Sequence, residues 1–255
     1  MKIVVIGGTG LIGRPLVELL RQAGHEVIPA SPSTGVDTVT GAGVDATLEG
    51  ADVVVDVPNA PSFDDGPVRE FFERSTQTLV DAERRAGVGH HVVLSIVGAD
   101  RMPDIGYMRA KVAQEDIVTG SGIPYSIVRA TQFFEFIPAL AEGGASGGTI
   151  TLSPVLMQPI AAADVSGALA ALAVAVPSNA IAELAGPAPV RLADAARVIL
   201  GARGDGREIV ADESVGYFGG TVTDESLMPG HDARATTQLR GETSLDAWSR
   251  RDSDV

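Results

Sequence analysis

A phenol and an amine stand four residues apart in the run YMRAK at residues 107–111. On a helix, side chains at this spacing share one face. Tyr107 can donate or accept a proton, but the ordinary phenol pKa of about 10 is too high for a base at neutral pH. The ammonium of Lys111 would favour phenolate, and lowering that pKa by about three units takes roughly 4 kcal/mol. The two residues are candidates for proton transfer, with an ordinary amphipathic pair as the alternative.

Ser95 stands twelve residues upstream of the tyrosine, near the C-terminal end of the apolar run VVLSI. In an open parallel sheet, ligands bind outside the carboxyl ends of the strands. A hydroxyl at that edge can hydrogen-bond the carbonyl oxygen of a substrate. We therefore predict a catalytic group of Ser95, Tyr107 and Lys111, and the alternative for Ser95 is a capping role.

Glycines recur every third residue in GGTGLIG, directly after the strand-like run KIVVI and at the start of a helical pattern. The first glycine permits a tight turn, the second lets the backbone approach a diphosphate, and the third lets the helix pack close to the sheet. The helix start adds unpaired N–H groups and about half a positive charge. A glycine-rich turn without a ligand is the alternative. The predicted cofactor contacts are Gly7, Thr9, Gly10, Leu11, Ile12 and Gly13.

The segment after the second predicted strand bears on the choice between NAD and NADP. NAD sites usually place an acidic residue about 20 residues beyond the glycines. Residues 27–34 read VIPASPST, so no carboxylate stands there to repel a 2′-phosphate, and Ser31 and Ser33 can donate hydrogen bonds to one. This favours NADP. No Arg or Lys stands there either, and Arg14 is the nearest cation in the sequence, so NAD stays open.

Polar residues also end the third predicted strand, in the run ADVVVDVPN. We expect Asp56, Val57 and Asn59 to border the adenine or ribose edge of the dinucleotide. Lys111 can hydrogen-bond the nicotinamide ribose. For Asp56 a structural role, in which the carboxylate satisfies loop backbone, is the alternative.

Alternating short apolar runs and helical patterns must position these residues. Several of the runs, such as VVVDV and VVLSI, are continuously apolar, as expected for strands covered on both faces. Strand and helix in alternation predict right-handed crossovers and a parallel sheet. The predicted strands are 2–6, 26–30, 52–57, 91–96 and 125–129, with a weaker one near 36–40. The predicted helices are 11–23, 67–86 and 107–121, with a helical turn near 44–48.

The pattern changes after residue 130. Residues 142–148 (EGGASGG) predict a flexible loop, and the last stretch from 221 is polar. We expect a dinucleotide-binding core over residues 1–150 and a C-terminal lobe over 151–255 that partly returns to the core. The further predicted elements are helices at 163–175 and 192–202 and strands at 181–184 and 208–211.

Bulky side chains directly after the strand at 125–129 suggest where an organic substrate would lie. Phe133 and Phe134 follow that strand, and Met157 and Tyr217 are further candidates for an apolar pocket. Such a pocket favours a flat, hydrophobic ligand. Core packing is the alternative for at least one of Phe133 and Phe136.

Composition excludes several classes of function. The 255 residues include 19 Lys and Arg against 33 Asp and Glu, a net charge of −14 that disfavours a nucleic-acid partner. Without cysteine there is no disulfide, thiolate metal site or cysteine nucleophile. The four histidines are scattered, so we expect no metal, and we interpret His90 and His91 as turn residues. Neither a signal peptide nor a membrane span is recognisable, which predicts a cytoplasmic protein.

Together these motifs resemble the atypical short-chain dehydrogenases/reductases, in their NmrA-like, NAD(P)H-binding branch. The resemblance rests on the glycine loop, DVPN at 56–59, Ser95, Tyr107 with Lys111, and GIPYSIVR at 122–129. It continues more weakly to about residue 205. It implies an α/β fold with a Rossmann-like doubly wound parallel sheet and a small C-terminal substrate-binding lobe. It also implies that Ser95, Tyr107 and Lys111 match the catalytic serine, tyrosine and lysine of that superfamily.

The resemblance implies an NAD(P)-dependent oxidoreductase acting on an apolar, aromatic or quinone-like carbonyl compound. Retention of the tyrosine and lysine favours an enzyme over a redox-sensing regulator that binds NAD(P) without turnover. A polyketide-tailoring oxygenase, epimerase or dehydratase on the same fold is the third possibility. A homodimer through the faces of the helices at 67–86 and 107–121 is left open.

Overall fold

Seven parallel strands form one sheet in the computed structural model, which describes residues 1–230 and 234–252. The first half of the chain alternates strand and helix without interruption, as predicted from its apolar runs. Its elements are β1 (Lys2–Ile6), α1 (Gly13–Gln22), β2 (Glu26–Ala30), α2 (Val44–Leu48), β3 (Val53–Asp56), α3 (Asp65–Ala86), β4 (His90–Ile96), α4 (Gly106–Gly120) and β5 (Tyr125–Ala130).

The second half builds a smaller lobe and then returns to the sheet. Its elements are α5 (Ile137–Gly143), β6 (Ala145–Ser146), β7 (Thr149–Leu152), β8 (Leu156–Met157), α6 (Ala162–Ala173), β9 (Ile181–Ala185), β10 (Val190–Arg191), α7 (Leu192–Ala202), β11 (Glu208–Ala211), β12 (Ala235–Arg240) and α8 (Leu245–Asp252). The lobe contains the three-stranded sheet β11-β7-β6 and the pair β10-β8, whereas β9 and β12 extend the central sheet.

The central sheet has the strand order β12-β9-β5-β4-β3-β1-β2. From β1 the chain first builds outward to β2 and then reverses to β3, β4 and β5 on the other side. Register places Ile6, the last residue of β1, beside Ala30 on one side and Asp56 on the other. The carboxyl ends therefore meet at one edge, and the reversal beside β1 is where open sheets of this kind bind ligands. This confirms the predicted Rossmann-like parallel sheet.

Both faces of the sheet are covered, which explains why its strands are continuously apolar. Ile3 and Val5 pack with α1 and α6 on one face, and Val4 and Ile6 pack with α2 and α3 on the other. All four side chains are at most 3% exposed. No helix within the described ranges is both long and apolar enough to span a lipid bilayer.

Three sequence predictions are wrong in their local detail. Residues 36–40 form no strand, because the carboxylate of Asp37 accepts the N–H groups of Val39 and Thr40 and closes a turn. The loop predicted at 142–148 contains the end of α5 and the strand β6. His90 and His91 lie in β4 rather than in a turn.

Side-chain partners hold the two histidines inside the core. Nε2 of His90 lies 2.9 Å from the hydroxyl of Ser126, and Nδ1 of His91 lies 2.8 Å from Glu83 on α3. A polar residue with a buried hydrogen-bond partner can lie inside a strand at little cost in free energy. The polarity of the two histidines therefore did not show that β4 begins at His90.

Candidate functional site

A cleft of about 430 Å³ opens at the carboxyl ends of the central strands, beneath the lobe. The loops after β1, β2, β3 and β5, the last residues of β4, the first turns of α4, and the segment around residues 217–218 supply its walls. Most of the predicted site residues come together here: Gly7, Thr9, Gly10, Leu11, Ile12, Ser31, Val57, Asn59, Ser95, Tyr107, Lys111, Phe133 and Tyr217.

The glycine loop has the geometry that a diphosphate requires. A Cβ on Gly13 would lie 2.1 Å from the carbonyl oxygen of Gly7, so the start of α1 can approach the strand only without a side chain. On Gly10 a Cβ would meet only that same oxygen, at 3.3 Å, and would otherwise project into open space. In the described chain, no protein acceptor lies opposite the main-chain N–H groups of Leu11 and Ile12. These free donors and the open space fit a bound diphosphate.

The segment after β2 places one of its two predicted serines in the cleft. Ser31 lines the cleft, and its hydroxyl lies 2.8 Å from that of Ser33, which is exposed and outside the cleft wall. The guanidinium of Arg14 donates to the carbonyl of Thr9 at 3.4 Å, so one cation lies beside the loop. The preference for NADP over NAD stays a prediction.

Tyr107 is on the first turn of α4 and reaches across the cleft. Its hydroxyl donates to Oδ1 of Asn59, on the loop after β3, at 2.7 Å. Burial raises the pKa of Tyr107 above its ordinary value, the reverse of the direction expected from the nearby Lys111. The tyrosine is therefore protonated at neutral pH.

Lys111 lines the cleft, but its ammonium is bonded to protein acceptors rather than to the phenol of Tyr107. Its Nζ donates to the carbonyl of Leu94 at 2.7 Å and to Oε1 of Gln114, and lies 4.4 Å from the ring centroid of Phe72. Burial lowers the pKa of Lys111 to about 8, although Asp56 and Glu115 oppose that shift.

Asp56 belongs to the same buried network rather than to the cleft wall. It is 2% exposed and accepts a hydrogen bond from Nε2 of Gln114 at 2.7 Å. Burial raises the pKa of Asp56. The structure thus buries this residue away from the predicted adenine or ribose edge, and its printed partner is a side chain of α4 rather than the loop backbone given as its alternative.

Ser95 lies at the end of β4 but its proton is already used. The hydroxyl donates to Oε1 of Glu115 at 2.5 Å, and Arg129 holds that carboxylate through Nε at 2.8 Å and Nη2 at 2.6 Å. Ser95 and Arg129 are neighbours across β4 and β5. Because a serine has one proton, Ser95 cannot donate to a ligand while this bond persists.

A group of aromatic rings surrounds the cleft mouth. The ring of Phe63 lies 5.2 Å from Tyr107, 6.2 Å from Phe136 and 5.8 Å from Phe218, centroid to centroid. Phe136 and Phe218 stack at 6.0 Å with an angle of 13° between their planes. Phe63 and Phe218 are 42% and 40% exposed. Sequence analysis missed Phe63, although a lone phenylalanine in a polar loop after a strand end is a usable signal.

Two predicted substrate contacts lie elsewhere. Phe134 and Met157 are 1% and 0% exposed and pack in the hydrophobic core of the lobe. A short helical turn at Phe134–Phe136 rotates Phe134 inward, where it contacts the ring of Trp248 at 5.6 Å. Neither residue lines the cleft, so this part of the substrate prediction is corrected. Phe133 and Tyr217 do line it.

A residue that the sequence analysis did not select, Gln132, also lines the cleft. It follows β5 by two positions and is 6% exposed. Neither Nε2 nor Oε1 of its side chain has a hydrogen-bond partner in the described chain. Only a count of hydrogen-bond partners could have identified it.

Solved structures share this fold at low sequence identity. A dTDP-4-dehydrorhamnose reductase from Yersinia enterocolitica superposes with a TM-score of 0.72 at 15% identity, over 99% of this chain and 98% of that one. An NADPH-dependent quinone oxidoreductase from Escherichia coli superposes with a TM-score of 0.68 at 18% identity, over 98% of both chains.

Among curated proteins, the photosystem II assembly factor Ycf39 of Synechocystis is 26% identical over 149 residues, covering 53% of this chain and 46% of that protein. This alignment thus spans about half the length of the curated relative. The sequence profile of the NAD(P)H-binding family matches residues 7–173, which include the glycine loop, Tyr107 and Gln132. The fold, the fit of the glycine loop to a diphosphate and this match agree, and the chain belongs to the NAD(P)H-binding family.

Proposed function

We propose that the protein reduces flat, apolar carbonyl compounds with NAD(P)H, and that quinones are its substrate class. The observation that carries this proposal is the group of rings formed by Phe63, Tyr107, Phe136 and Phe218 at the cleft mouth. Aromatic walls at stacking distance favour a planar ligand. The fold neighbour named as a quinone oxidoreductase supports the same choice.

When bound, NAD(P)H supplies a hydride to the acceptor. The main-chain N–H groups of Leu11 and Ile12 would hold the diphosphate. Tyr107, protonated because its pKa is raised, would exchange its bond to Asn59 for one to the acceptor oxygen and donate the proton. The ammonium of Lys111 would contribute positive charge at the floor of the cleft.

The hydrogen bonds already made at the site favour a quinone over a simple ketone. Hydride addition to a ketone leaves a strongly basic alkoxide, which needs a strong proton donor and an oxygen-holding hydroxyl. A quinone that receives the hydride on one of its oxygens becomes a hydroquinone anion with the charge on the other oxygen, and this anion is far less basic because its charge spreads into an aromatic ring. Ser95 donates to Glu115 and Tyr107 has a raised pKa, so the available acid is weak.

Tyr107→Phe should therefore slow quinone reduction only modestly, by about tenfold or less, below the range of about 10² to 10⁴ typical of general acid catalysis. Water can protonate the hydroquinone anion in place of the phenol. The measurement is NADPH oxidation with benzoquinones and naphthoquinones, beside aryl ketones.

The control is Tyr125→Phe, which removes the hydroxyl of a β5 residue outside the cleft and should leave the rate unchanged. Turnover of ketones in preference to quinones by the wild type would contradict the proposed substrate class. A loss above a hundredfold with quinones would contradict the proton argument.

Cofactor affinity should fall as the pH rises past about 8. Lys111 has a pKa of about 8 in the free protein, and a bound anionic dinucleotide should raise it. Binding then takes up a proton at higher pH, so the dissociation constant should rise about fivefold between pH 7 and 9. Titration of NADPH by its fluorescence at each pH measures this. Lys111→Met should flatten the dependence; an equal slope in that variant would assign it to another group.

A second candidate is a protein that binds NAD(P) without turnover and acts through a partner. The observation that favours it is that both predicted donors, Ser95 and Tyr107, already donate to protein acceptors. The relative named as an assembly factor supports it as well. Tight NADPH binding with no turnover of any acceptor would favour this candidate. Oxygen uptake in the same assay would instead favour the oxygenase alternative.

A further inference from the structure

Gln132 holds an unusual position among the polar residues of the cleft. The main-chain carbonyl oxygen of Gln132 accepts a hydrogen bond from the N–H of Ile160 at 2.9 Å. The hydroxyl of the neighbouring Thr131 donates to the main-chain carbonyl of Gln158 at 2.6 Å. The backbone is therefore fixed at this point. The side chain is 6% exposed, lines the cleft, and has neither a donor nor an acceptor partner in the described residues.

An unpartnered buried carboxamide is costly. Each buried polar group left without a hydrogen bond costs about 1–3 kcal/mol, and most buried polar side chains have a partner. Gln158, which directly follows β8, is equally buried but has a partner. Its Nε2 donates to the main-chain carbonyl of Gly186 at 2.6 Å, as is usual for a buried amide. The difference between these two glutamines indicates that a ligand supplies the missing hydrogen-bond partners of the Gln132 side chain.

The chemistry of Gln132 specifies the ligand group. Its amide presents one donor group and one acceptor, so a ligand satisfies both only if it carries an acceptor beside a donor. A diphosphate and a quinone carry acceptors alone. Among the groups on the dinucleotide, the ribose hydroxyls also carry both, but on oxygens attached to tetrahedral carbons. The adenine edge and the nicotinamide carboxamide carry an acceptor and a donor side by side in one plane, as the glutamine amide does.

Position separates those two groups. Ser31 follows β2 and Gln132 follows β5, four strand spacings away across the sheet, or roughly 19 Å. The two residues thus lie at opposite ends of an extended dinucleotide whose diphosphate is held at the glycine loop. The adenosine half belongs with Ser31, since the segment after the second strand contacts the adenosine ribose in sheets of this kind, and the nicotinamide half belongs with Gln132 and Phe133.

We propose that the side chain of Gln132 pairs with the carboxamide of the nicotinamide ring through two hydrogen bonds. Nε2 donates to the carboxamide oxygen, and Oε1 accepts from the carboxamide nitrogen. This pair fixes the rotation of the ring in the cleft. The inference rests on NAD(P) binding and is independent of which acceptor is reduced.

Gln132→Met replaces the amide by an apolar side chain of similar size. It should weaken binding of NAD⁺ or NADP⁺ by about tenfold to hundredfold, the value of two hydrogen bonds of about 1 kcal/mol each. It should not weaken the binding of ADP-ribose or of its 2′-phosphate, because both lack the nicotinamide ring. The 3-acetylpyridine analogues, which keep the oxygen but lose the N–H donor, should bind the wild type more weakly and lose less affinity in the variant. Isothermal titration calorimetry measures all of these without turnover.

Thermal unfolding of the ligand-free protein provides a second readout. Gln132→Met should leave the melting temperature unchanged or higher, because it removes two unpaired polar atoms. The matched variant Gln158→Met should lower the melting temperature, because it breaks the bond to Gly186.

Equal losses for the dinucleotide and for ADP-ribose would overturn the proposal, as would an unchanged affinity for both. A destabilised ligand-free Gln132→Met protein would overturn it too, since the amide would then have a protein partner. An effect confined to the KM of the acceptor would move Gln132 to the substrate. None of these results decides whether a quinone is reduced.

Discussion

Gly10→Val should abolish NAD(P)H binding, with an affinity loss of at least about a hundredfold, while the protein stays folded. The valine side chain would enter the space in front of the free N–H groups of Leu11 and Ile12. A diphosphate that cannot reach these donors loses charge-assisted hydrogen bonds worth about 1.5–3 kcal/mol each. The backbone itself tolerates a side chain, because the single close contact of a Cβ is the Gly7 carbonyl at 3.3 Å.

The measurement is NADPH titration beside a circular dichroism melt. Gly120→Val, at the end of α4, adds the same side chain where a Cβ meets nothing within 4 Å, and it should leave cofactor affinity unchanged. Gly13→Ala is the opposite control. Its Cβ would lie 2.1 Å from the Gly7 carbonyl, so it should damage the fold itself. Retained affinity in a folded Gly10→Val protein would remove the diphosphate from this loop.

Arg129→Met should destabilise the protein by about 3–5 kcal/mol, the cost of leaving a buried charge without its partner. Arg129 is 0% exposed and bonds Glu115, which is 2% exposed, and also Asp100 at 2.8 Å. Removing the cation strands the Glu115 carboxylate inside the protein. The double variant Arg129→Met/Glu115→Leu should recover much of the loss, because well-packed apolar residues often replace a buried ion pair at little cost.

Urea unfolding measures these free energies. Arg69→Met is the matched surface control, since its pair with Glu73 is 65% and 38% exposed and such pairs contribute about 0–1 kcal/mol. A loss below about 1 kcal/mol in Arg129→Met would contradict the buried pair as a determinant of stability. The same variants release the Ser95 hydroxyl from an anchored acceptor, so their effect on turnover tests whether Ser95 acts on substrate.

What could be predicted from the sequence was local. The glycine spacing predicts a turn between a strand and a helix, and these two elements, β1 and α1, directly flank the glycines in the sequence. Continuous apolar runs specify strands covered on two faces. Tyr107 and Lys111 share a helix face by spacing alone, and both reach the cleft.

What could not be predicted depends on where side chains point in three dimensions. The ammonium of Lys111 donates to the carbonyl of Leu94 and to the side chain of Gln114, so it does not lower the pKa of the Tyr107 phenol. Phe134 turns into the lobe core because a short helical turn follows Phe133. No periodicity in the sequence records either orientation, and Gln132 becomes conspicuous only when its missing partners are counted.

The two margins of the central sheet differ in how they resist intermolecular strand pairing. Proline cannot donate to a neighbouring strand, and Pro29 stands in β2, which forms one margin. The other margin is β12, a strand of mostly exposed polar residues from the C-terminal segment, which covers the more apolar β9. The late segment that bears no recognisable motif thus gives the sheet a polar edge in place of an apolar one, which disfavours aggregation by strand pairing.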